Sequence, residues 1–426
     1  MIQYVHTQKG GVVMKKTICL LMAVLMFCAA FSGCAKEKPV TPENPGTDPG
    51  VNPVGEVTKP KDAIGFGMNS NDAKLLDILS AGKEDNLFVS AMSLDIALGM
   101  LMSGANGSSY DALCAYLGLT KEEAANIVKD LMEEARLTQT EEDNPDRSHP
   151  VVSIANSFWF ELGQDVSADY MAYLQKYYDA ECAEVDFKKD AAERINAWCT
   201  EKTRNLIKEV VSKKMLEKAS DVLVNAIYFK AHWAKEFAPA EKEDFTLFSG
   251  KTVSVDMMHG KGDEYMENDQ AIAFSKRYSG GYRFVGILPK NTGDFTFESL
   301  KLKSLFDSVS WDYDVYVNMP KLDIQYSVSL VEPLKQLGLE VLFTEQADFS
   351  GIANSLKVSD VIQKSVLKLD EKGTEAAAVT VISMETTAMP VQRQEKSVSL
   401  DRPFAFMIMD ANDNVLFAGK VLNPNK

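Results

Sequence analysis

The chain has 426 residues, 46% of them hydrophobic, so it is long enough to bury a large core in one or two domains. Its formal net charge is −16 at pH 7, and the acidic residues are spread along the chain rather than gathered in one tail. Because binding to phosphates needs clustered Lys and Arg, this charge argues against nucleic acid as a partner.

The N-terminal region is typical of a signal peptide. A basic Met-Lys-Lys sequence starts at Met14, and residues 18–31 form an apolar run too short for a bilayer, which takes roughly 20 residues. The run is followed by Ser-Gly-Cys, an ending that resembles the lipobox of bacterial lipoproteins. We therefore expect translation to start at Met14, residues 1–33 to be removed, and Cys34 to carry lipid such as palmitate. Ordinary secretory cleavage nearby is the alternative.

Residues 34–61 are rich in proline and glycine and contain few large apolar side chains. This composition predicts an extended, disordered tether between the lipidated Cys34 and a folded part at residues 62–426. The expected location is a bacterial cell envelope, with the protein anchored in the membrane by its lipid. Both the cell surface and the periplasm remain open as the compartment.

Hydrophobic periodicity predicts the elements of the folded part in chain order. Helices are predicted at residues 71–79, 90–103, 120–136 and 193–206. Strands are predicted at residues 153–160, 221–229, 283–288, 313–319, 366–369, 404–409 and 415–421. The third helix opens with Thr-Lys-Glu-Glu, which resembles a capping box. Because helices precede most strands and no repeat is visible, the pattern indicates a large α+β domain.

The motifs of common catalytic centres are missing from the sequence. The chain has four histidines, and it contains no HExxH, CxxC, GxSxG or Walker motif. No spacing singles out a pair of carboxylates for acid and base chemistry. We therefore expect that the protein is not an enzyme and that it binds neither metal nor cofactor.

Three cysteines remain after the signal peptide and the lipidated residue are set aside, namely Cys114, Cys182 and Cys199. Three thiols cannot all pair with one another, so no disulfide framework is implied. The sequence favours small buried thiols, although it leaves the state of each open.

Residues 366–381, VLKLDEKGTEAAAVTV, contain the most informative pattern in the chain. A strand is predicted to end at Asp370, and Gly373 permits an unusual backbone turn. In an extended chain, alternate side chains share a face, and here one face carries no charge. That face consists of Thr374, Ala376, Ala378 and Thr380. The segment is therefore suited to enter a sheet. A plain helix is the alternative, but the flanking strand patterns favour a loop.

Several blocks, in order, resemble the serpin family over residues 62–424. They are NLFVSAMSLDIALGMLMSGA at 86–105, LVNAIYFKAHWAKEF at 223–237, MPKLDI with LKQLGLEVLF and ADFSGI within 319–350, EKGTEAAAVT at 371–380, DRPFAF at 401–406 and LFAGKVLNP at 416–424. The resemblance implies three β-sheets, about eight or nine helices and an exposed reactive-centre loop at about residues 371–400. It also implies a monomer that inhibits serine, or also cysteine, proteases as a suicide substrate. A non-inhibitory serpin that acts as a binding protein is the alternative.

The resemblance assigns three groups of residues. The hinge of the loop corresponds to Glu371, Gly373, Thr374, Glu375, Ala376, Ala377 and Ala378. In the region that the family calls the breach, Lys321 is expected to pair with Glu371 above Trp233. In the region called the shutter, the matching residues are Ser90, Ser93, Asn225 and Gln363. The family usually has histidine at this last position. Glutamine does not titrate, so pH sensitivity linked to a histidine should be absent.

The loop also contains the bond that a target protease would cut. Counting from Glu371, as in inhibitory members of the family, places the bond at Thr387–Ala388. Counting back from Phe404 points a little later, near Met389–Gln392. Met384, Met389 and Arg393 stay as alternatives. The small or medium side chains of Thr387 and Ala388 favour target proteases that are elastase-like or of broad specificity. The region that binds heparin in some members corresponds to residues 121–136, which are acidic on balance, so no heparin cofactor is implied.

Overall fold

The computed structural model describes residues 64–139, 150–217, 221–354, 356–374 and 393–426. Nine α-helices occur in these ranges: α1 (Ser70–Ser80), α2 (Ala91–Met102), α3 (Gly107–Leu117), α4 (Lys121–Gln139), α5 (Ala168–Tyr178), α6 (Ala191–Lys202), α7 (Lys213–Leu216), α8 (Leu302–Phe306) and α9 (Val331–Leu334). Single turns of 3₁₀ or π helix occur at Ser279–Gly281, Lys335–Leu339 and Glu340–Phe343.

Sixteen strands occur in the same ranges and form three sheets. They are β1 (Leu87–Val89), β2 (Val151–Glu161), β3 (Glu181–Val185), β4 (Asp221–His232), β5 (Glu241–Thr246), β6 (Thr252–Lys261), β7 (Glu264–Glu267), β8 (Ala271–Arg277), β9 (Arg283–Pro289), β10 (Tyr313–Pro320), β11 (Leu322–Ser329), β12 (Ile362–Asp370), β13 (Gly373–Thr374), β14 (Gln394–Ser399), β15 (Phe404–Met409) and β16 (Val415–Val421). The main sheet has the order β11-β12-β13-β4-β2-β3, the buried sheet β1-β16-β15-β9-β8-β7, and the small sheet β14-β10-β6-β5. The predicted α+β class with three sheets and eight or nine helices is confirmed.

The core lies around α2 and the buried sheet. Helix α2 is apolar on nearly all sides, and only Ala97 among its residues is not fully buried. A helix of that composition must be covered on every face. It packs against β4 of the main sheet and β16 of the buried sheet, whose seven residues are all buried. This arrangement fixes the N-terminus of α2 directly beneath the main sheet.

Most predicted elements are present, with shifted ends. The strands at residues 404–409 and 415–421 have the predicted bounds, and the expected capping box is formed between Thr120 and Glu123. The helix predicted to run to residue 206 instead ends at Lys202, because Arg204 and Asn205 adopt positive φ angles of 50° and 67°. Strand β12 starts four residues earlier than the predicted strand at 366.

The structure differs from the sequence-based predictions at the end of the reactive loop and in the number of strands. The reactive loop was expected to extend to about residue 400, but Gln394–Ser399 form β14 beside β10, so the loop ends before Gln394. Strands β1, β3, β5 to β8, β11, β13 and β14 were not predicted. Strand β5, with the sequence EKEDFT, shows the reason: it is an edge strand in which Phe245 is the one buried side chain, so it lacks an alternating apolar pattern.

Candidate functional site: the seam of the main sheet

The candidate site is a seam between β4 and β12 of the main sheet. Strand β13 joins them at one end, where Gly373 pairs with Asp370 and His232, and Thr374 pairs with Leu369 and Ala231. Beyond Thr374, no strand of the described residues lies between β4 and β12. Their facing edges therefore leave backbone N–H and C=O groups that a further strand could pair with, antiparallel to both. A cavity of about 180 Å³, lined by β4, β12 and α2, occupies part of this seam.

Gly373 is required for the entry of β13 into the sheet. Its φ angle of 153° lies where side chains other than hydrogen are strained. A Cβ atom at this position would lie 2.0 Å from the carbonyl oxygen of Ala231, which is a backbone atom that cannot move aside easily. The glycine noted in the sequence thus allows the hinge to approach β4 closely.

The end of the seam at β13, here called the breach, is held by aromatic residues. The Trp233 indole donates a hydrogen bond to the Asp370 carbonyl at 2.9 Å, and the Trp233 backbone N–H donates to the Lys372 carbonyl at 2.9 Å. Trp233 stacks on Tyr278 at 4.1 Å between ring centroids. The hydroxyl of Tyr278 lies 2.8 Å from that of Thr374, which is 3% exposed. These contacts fix the side of the sheet that Thr374 faces.

Glu371 and Lys321 lie together at the surface of the breach, 2.9 Å apart. The Ala240 N–H also donates to the Glu371 carboxylate at 3.1 Å. Partial burial acts to raise the pKa of Glu371, but the hydrogen bonds from Lys321 and Ala240 outweigh it and hold the pKa below its usual value. The hydrogen bond to Glu371 raises the pKa of Lys321. Both side chains are partly exposed, so the pair contributes about 1 kcal/mol or less.

Further along the seam, Gln363 of β12 bonds to the residue that caps α2. Its Oε1 accepts from the Ser90 N–H at 3.1 Å, and its Nε2 donates to the Ser90 carbonyl at 2.7 Å. The Ser90 hydroxyl donates to the Leu416 carbonyl at 2.6 Å and accepts from the Ser93 N–H at 3.0 Å. The Ser93 hydroxyl lies 3.5 Å from the Asn225 carbonyl. The structure thus brings the four expected shutter residues into one cluster between α2, β4 and β12.

Three residues of the site were not identified from the sequence. Asn156 accepts a hydrogen bond from the Asn225 side chain at 2.7 Å, and its own amide donates to the Tyr178 carbonyl. Its position inside an apolar strand could have revealed it, since a buried polar side chain needs partners. Tyr278 contacts Thr374, and the Phe237 N–H donates to the Glu371 carbonyl at 3.0 Å. No sequence signal distinguishes these two aromatics from core residues.

Several expected site residues lie outside the described residues. They are Cys34, the hinge residues Glu375, Ala376, Ala377 and Ala378, and the cleavage candidates Met384, Thr387, Ala388 and Met389. Arg393 is described and exposed, immediately before β14. Of the three cysteines in the described part, Cys199 is buried, Cys114 and Cys182 are partly buried, and all are free.

Within the described ranges, no group of three or more His, Cys, Asp or Glu residues could hold a metal ion. No helix in the same ranges combines the length and apolar character needed to cross a membrane.

Comparison with known proteins identifies the family of this chain. The model of the family "Serpin (serine protease inhibitor)" matches residues 70–424. The chain is 32% identical over 376 residues to Iripin-1 of Ixodes ricinus, covering 84% of this chain and 94% of the relative. It is 32% identical over 366 residues to leukocyte elastase inhibitor A of Mus musculus, covering 80% and 93%.

The crystal structure of the thermophilic serpin tengpin in its native state aligns with a TM-score of 0.71 and 27% identity, covering 87% of this chain and 97% of that chain. The chain belongs to the serpin family. Membership of a family whose relatives inhibit proteases supports a role as a protease inhibitor.

Proposed function

We propose that this protein is a suicide-substrate inhibitor of serine proteases, with cysteine proteases as a further target class, and that it is not itself an enzyme. A protease would attack the loop after β13 and form an acyl-enzyme. The cleaved loop would then enter the seam as a new strand and carry the protease with it before deacylation. The observation that carries this proposal is that Gly373 and Thr374 of the hinge already pair with both β4 and β12.

The free energy available from loop entry supports this role. A strand that filled the seam would form roughly 8–10 ladder hydrogen bonds, each contributing about 0.5–1.5 kcal/mol net, which gives on the order of 10 kcal/mol. The sequence after Thr374 offers Ala376, Ala378 and Thr380 on the face that would be buried. A charge on that face would oppose entry, and none is present.

We propose that the target is an elastase-like protease, which would cut the loop at the bond Thr387–Ala388. The small side chains of these two residues suit a protease with a narrow specificity pocket. One relative, at 32% identity, is named a leukocyte elastase inhibitor. Met384, Met389 and Arg393 are the other candidate positions, and mass mapping of the cleaved loop would choose among them.

We further propose that lipid on Cys34 anchors the protein to a bacterial envelope, with residues 35–61 as the tether. The support is the apolar run that ends in Ser-Gly-Cys. Expression in a bacterium with radiolabelled palmitate should label the wild-type chain and leave Cys34→Ser unlabelled. Equal labelling of the two chains would contradict the anchor.

The test of inhibition uses a substitution on the buried face of the inserted strand. Because Thr374 is already buried against Tyr278 in this structure, Thr374→Arg would disturb the intact protein as well as loop entry. Ala376→Arg is the better choice, with Glu375→Arg as the matched control, since strand alternation puts residue 375 on the opposite face. Burying the arginine should cost about 3 kcal/mol, which corresponds to loop entry slowed roughly 100-fold.

The wild-type protein and Glu375→Arg should form SDS-resistant complexes with an elastase-like protease, and loop cleavage should raise their melting temperature strongly. Ala376→Arg should fold normally but be cleaved and release active protease. If the wild-type protein is cleaved by every serine and cysteine protease tried, without a complex and without a rise in melting temperature, inhibition is wrong. The binding-protein alternative would then be favoured.

A further inference from the structure

Two exposed aromatic side chains lie at the start of β10, in the small sheet. Trp311 precedes this strand by two residues and is 58% exposed, and Tyr316 within the strand is 41% exposed. Of the described residues, four large hydrophobic side chains are exposed, and these two are five residues apart, a span of at most about 17 Å. Single exposed hydrophobic residues are common, but Trp and Tyr close together are typical of binding surfaces.

Both rings are held in place by carboxylates. The Trp311 indole donates a hydrogen bond to the Glu264 carboxylate at 3.0 Å. The Tyr316 hydroxyl donates to the Glu395 carboxylate at 3.4 Å, and the Lys261 ammonium lies 5.0 Å from the centroid of the Tyr316 ring. Side chains that are already held in one orientation lose little conformational freedom when a partner binds, so these two rings are suited to contact one.

The position of β10 places these rings beside the end of the reactive loop. Val315 and Val317 are buried, so the alternation of side chains turns Tyr316 outwards, to the solvent face of the small sheet. Strand β10 pairs in parallel with β14, and Tyr313 lies opposite Gln394, the first residue of β14. The chain therefore passes from the loop directly into the strand next to the two aromatics.

The length of the chain brings a target protease to this surface. Residues 388–393 separate the proposed cleavage site from β14, and six residues span at most about 20 Å. A protease domain of about 240 residues has a radius of about 23 Å. A protease that holds the bond Thr387–Ala388 therefore lies within reach of the start of β10.

The charge of this surface indicates the chemistry of the partner. The charged residues on it are the acids Glu264, Asp312, Asp314 and Glu395 and the bases Lys261 and Arg393. Lys261 is already paired with Asp314, at 3.8 Å, whereas Asp312 and Glu395 have no ion-pair partner among the described residues. An arginine side chain fits an exposed indole with carboxylates nearby, because its guanidinium both stacks on aromatic rings and pairs with carboxylates.

We propose that Trp311 and Tyr316, with the carboxylates of Glu264 and Glu395, form a second contact surface for the target protease. This aromatic surface binds a basic, arginine-bearing face beside the active site of the protease. The loop determines which bond is cut, and the aromatic surface determines which protease binds fast enough to be trapped. The inference rests on the proposed function, since the same protease must also engage the loop.

The experiment measures the second-order rate at which the intact protein forms SDS-resistant complexes with leukocyte elastase and, in parallel, with pancreatic elastase. Leukocyte elastase is chosen because one relative is named an inhibitor of it. Trp311→Ala and Tyr316→Ala should each react about tenfold more slowly than wild type, since loss of a Trp or Tyr anchor weakens binding by about that factor.

Leu162→Ala is the matched control. Leu162 is also exposed, at 62%, but it follows β2 at the end of the main sheet opposite β13. A protease engaged with the loop has no reason to contact it, so this variant should react at the wild-type rate.

Two further measurements separate a contact surface from a merely structural role. The number of inhibitor molecules consumed per protease inactivated, and the rise in melting temperature on loop cleavage, should be the same in all four proteins, because loop entry follows binding. The affinity for an elastase whose active-site serine is replaced by alanine should fall by the same factor as the rate, because this protease binds without cutting.

Glu395→Gln tests the contribution of charge. Glutamine can still accept a hydrogen bond from the Tyr316 hydroxyl, but it carries no charge. The rate should fall about threefold at low salt, and the difference from wild type should vanish near 1 M salt, where surface charges are screened within about 3 Å.

The outcomes distinguish this inference from the proposed function. If the wild-type protein forms complexes and both aromatic variants react at its rate, the second contact surface is wrong and the proposed function stands. If the wild-type protein forms no complex with either elastase, the proposed target class fails and this inference with it. If one aromatic variant does not fold, the other variant and Glu395→Gln decide.

Discussion

Replacing Gln363 by histidine should make the stability of the protein depend on pH at this position, whereas the natural glutamine does not titrate. Gln363 accepts from the N–H of Ser90 and donates to its carbonyl, and Ser90 is 2% exposed. A neutral imidazole can accept at one nitrogen and donate at the other. Once protonated, near an ordinary pKa of about 6.5, it can only donate. The Ser90 N–H would then be buried without an acceptor, at a cost of about 1–3 kcal/mol.

The assay is urea unfolding of the intact protein at pH 5.5 and pH 7.5. The free energy of unfolding of Gln363→His, relative to wild type, should fall by about 1 kcal/mol between the higher and the lower pH, since one proton that only the unfolded chain binds below its pKa of about 6.5 can change it by no more than about 1.4 kcal/mol over this range. Taking the difference between the variant and the wild type cancels the contribution of groups that titrate in both proteins.

Gln363→Leu is the control, because it loses both hydrogen bonds to Ser90 at every pH. It should be destabilised equally at pH 5.5 and pH 7.5. An unchanged difference for Gln363→His, or a leucine variant as stable as wild type, would refute the role assigned to this side chain.

Two other substitutions test different parts of the fold. Asp72 and Asp95 are buried together, and burial raises the pKa of Asp72 to about 7 and also raises that of Asp95. The folded protein therefore keeps protons on these carboxyl groups that the unfolded chain would lose. The resulting stabilisation is fully present below about pH 4 and is lost as the pH rises through 7. Asp95→Asn should reduce the loss of unfolding free energy between pH 5 and pH 8 by on the order of 1–3 kcal/mol, measured by urea unfolding. An unchanged pH dependence would contradict the shared burial of the two carboxyl groups. Gly373→Ala should expel β13 and lower the melting temperature of the intact protein, because its Cβ would meet the Ala231 carbonyl. Gly293→Ala, with ordinary contacts, should not, and equal melting temperatures of the two variants would contradict the need for glycine at 373.

The parts of the fold that could be predicted from the sequence are those where one physical signal dominates. The strand at residues 404–409 is an uninterrupted apolar run, and the strand at residues 415–421 is apolar except for Lys420. Every residue in both strands is buried, and both predicted bounds were correct. Helix α6 was extended too far because Asn205 can adopt a positive φ angle that no hydrophobic pattern reveals. Edge strands such as β5 carry mostly charged residues and give no pattern at all.

The residues of the site also divide into those that the sequence reveals and those that it does not. The small-residue hinge and the glycine at 373 stand out in the sequence, whereas the partners of the hinge do not. Tyr278 and Phe237 are distant in the chain, and each is an aromatic of a kind that usually fills a core.

Strand β13 has only two residues, but it sets the register for any residues that follow it into the sheet. The side chain of Thr374 points towards Tyr278, on the same face as Leu369 and Ala231, with which it pairs. Side chains alternate along a strand, so Ala376 would follow onto that buried face and Glu375 onto the other. A slip of one residue would bury Glu375 instead, at the cost of an unpaired charge. The contact between the two hydroxyls and the approach that Gly373 permits therefore select the one register in which the loop can enter.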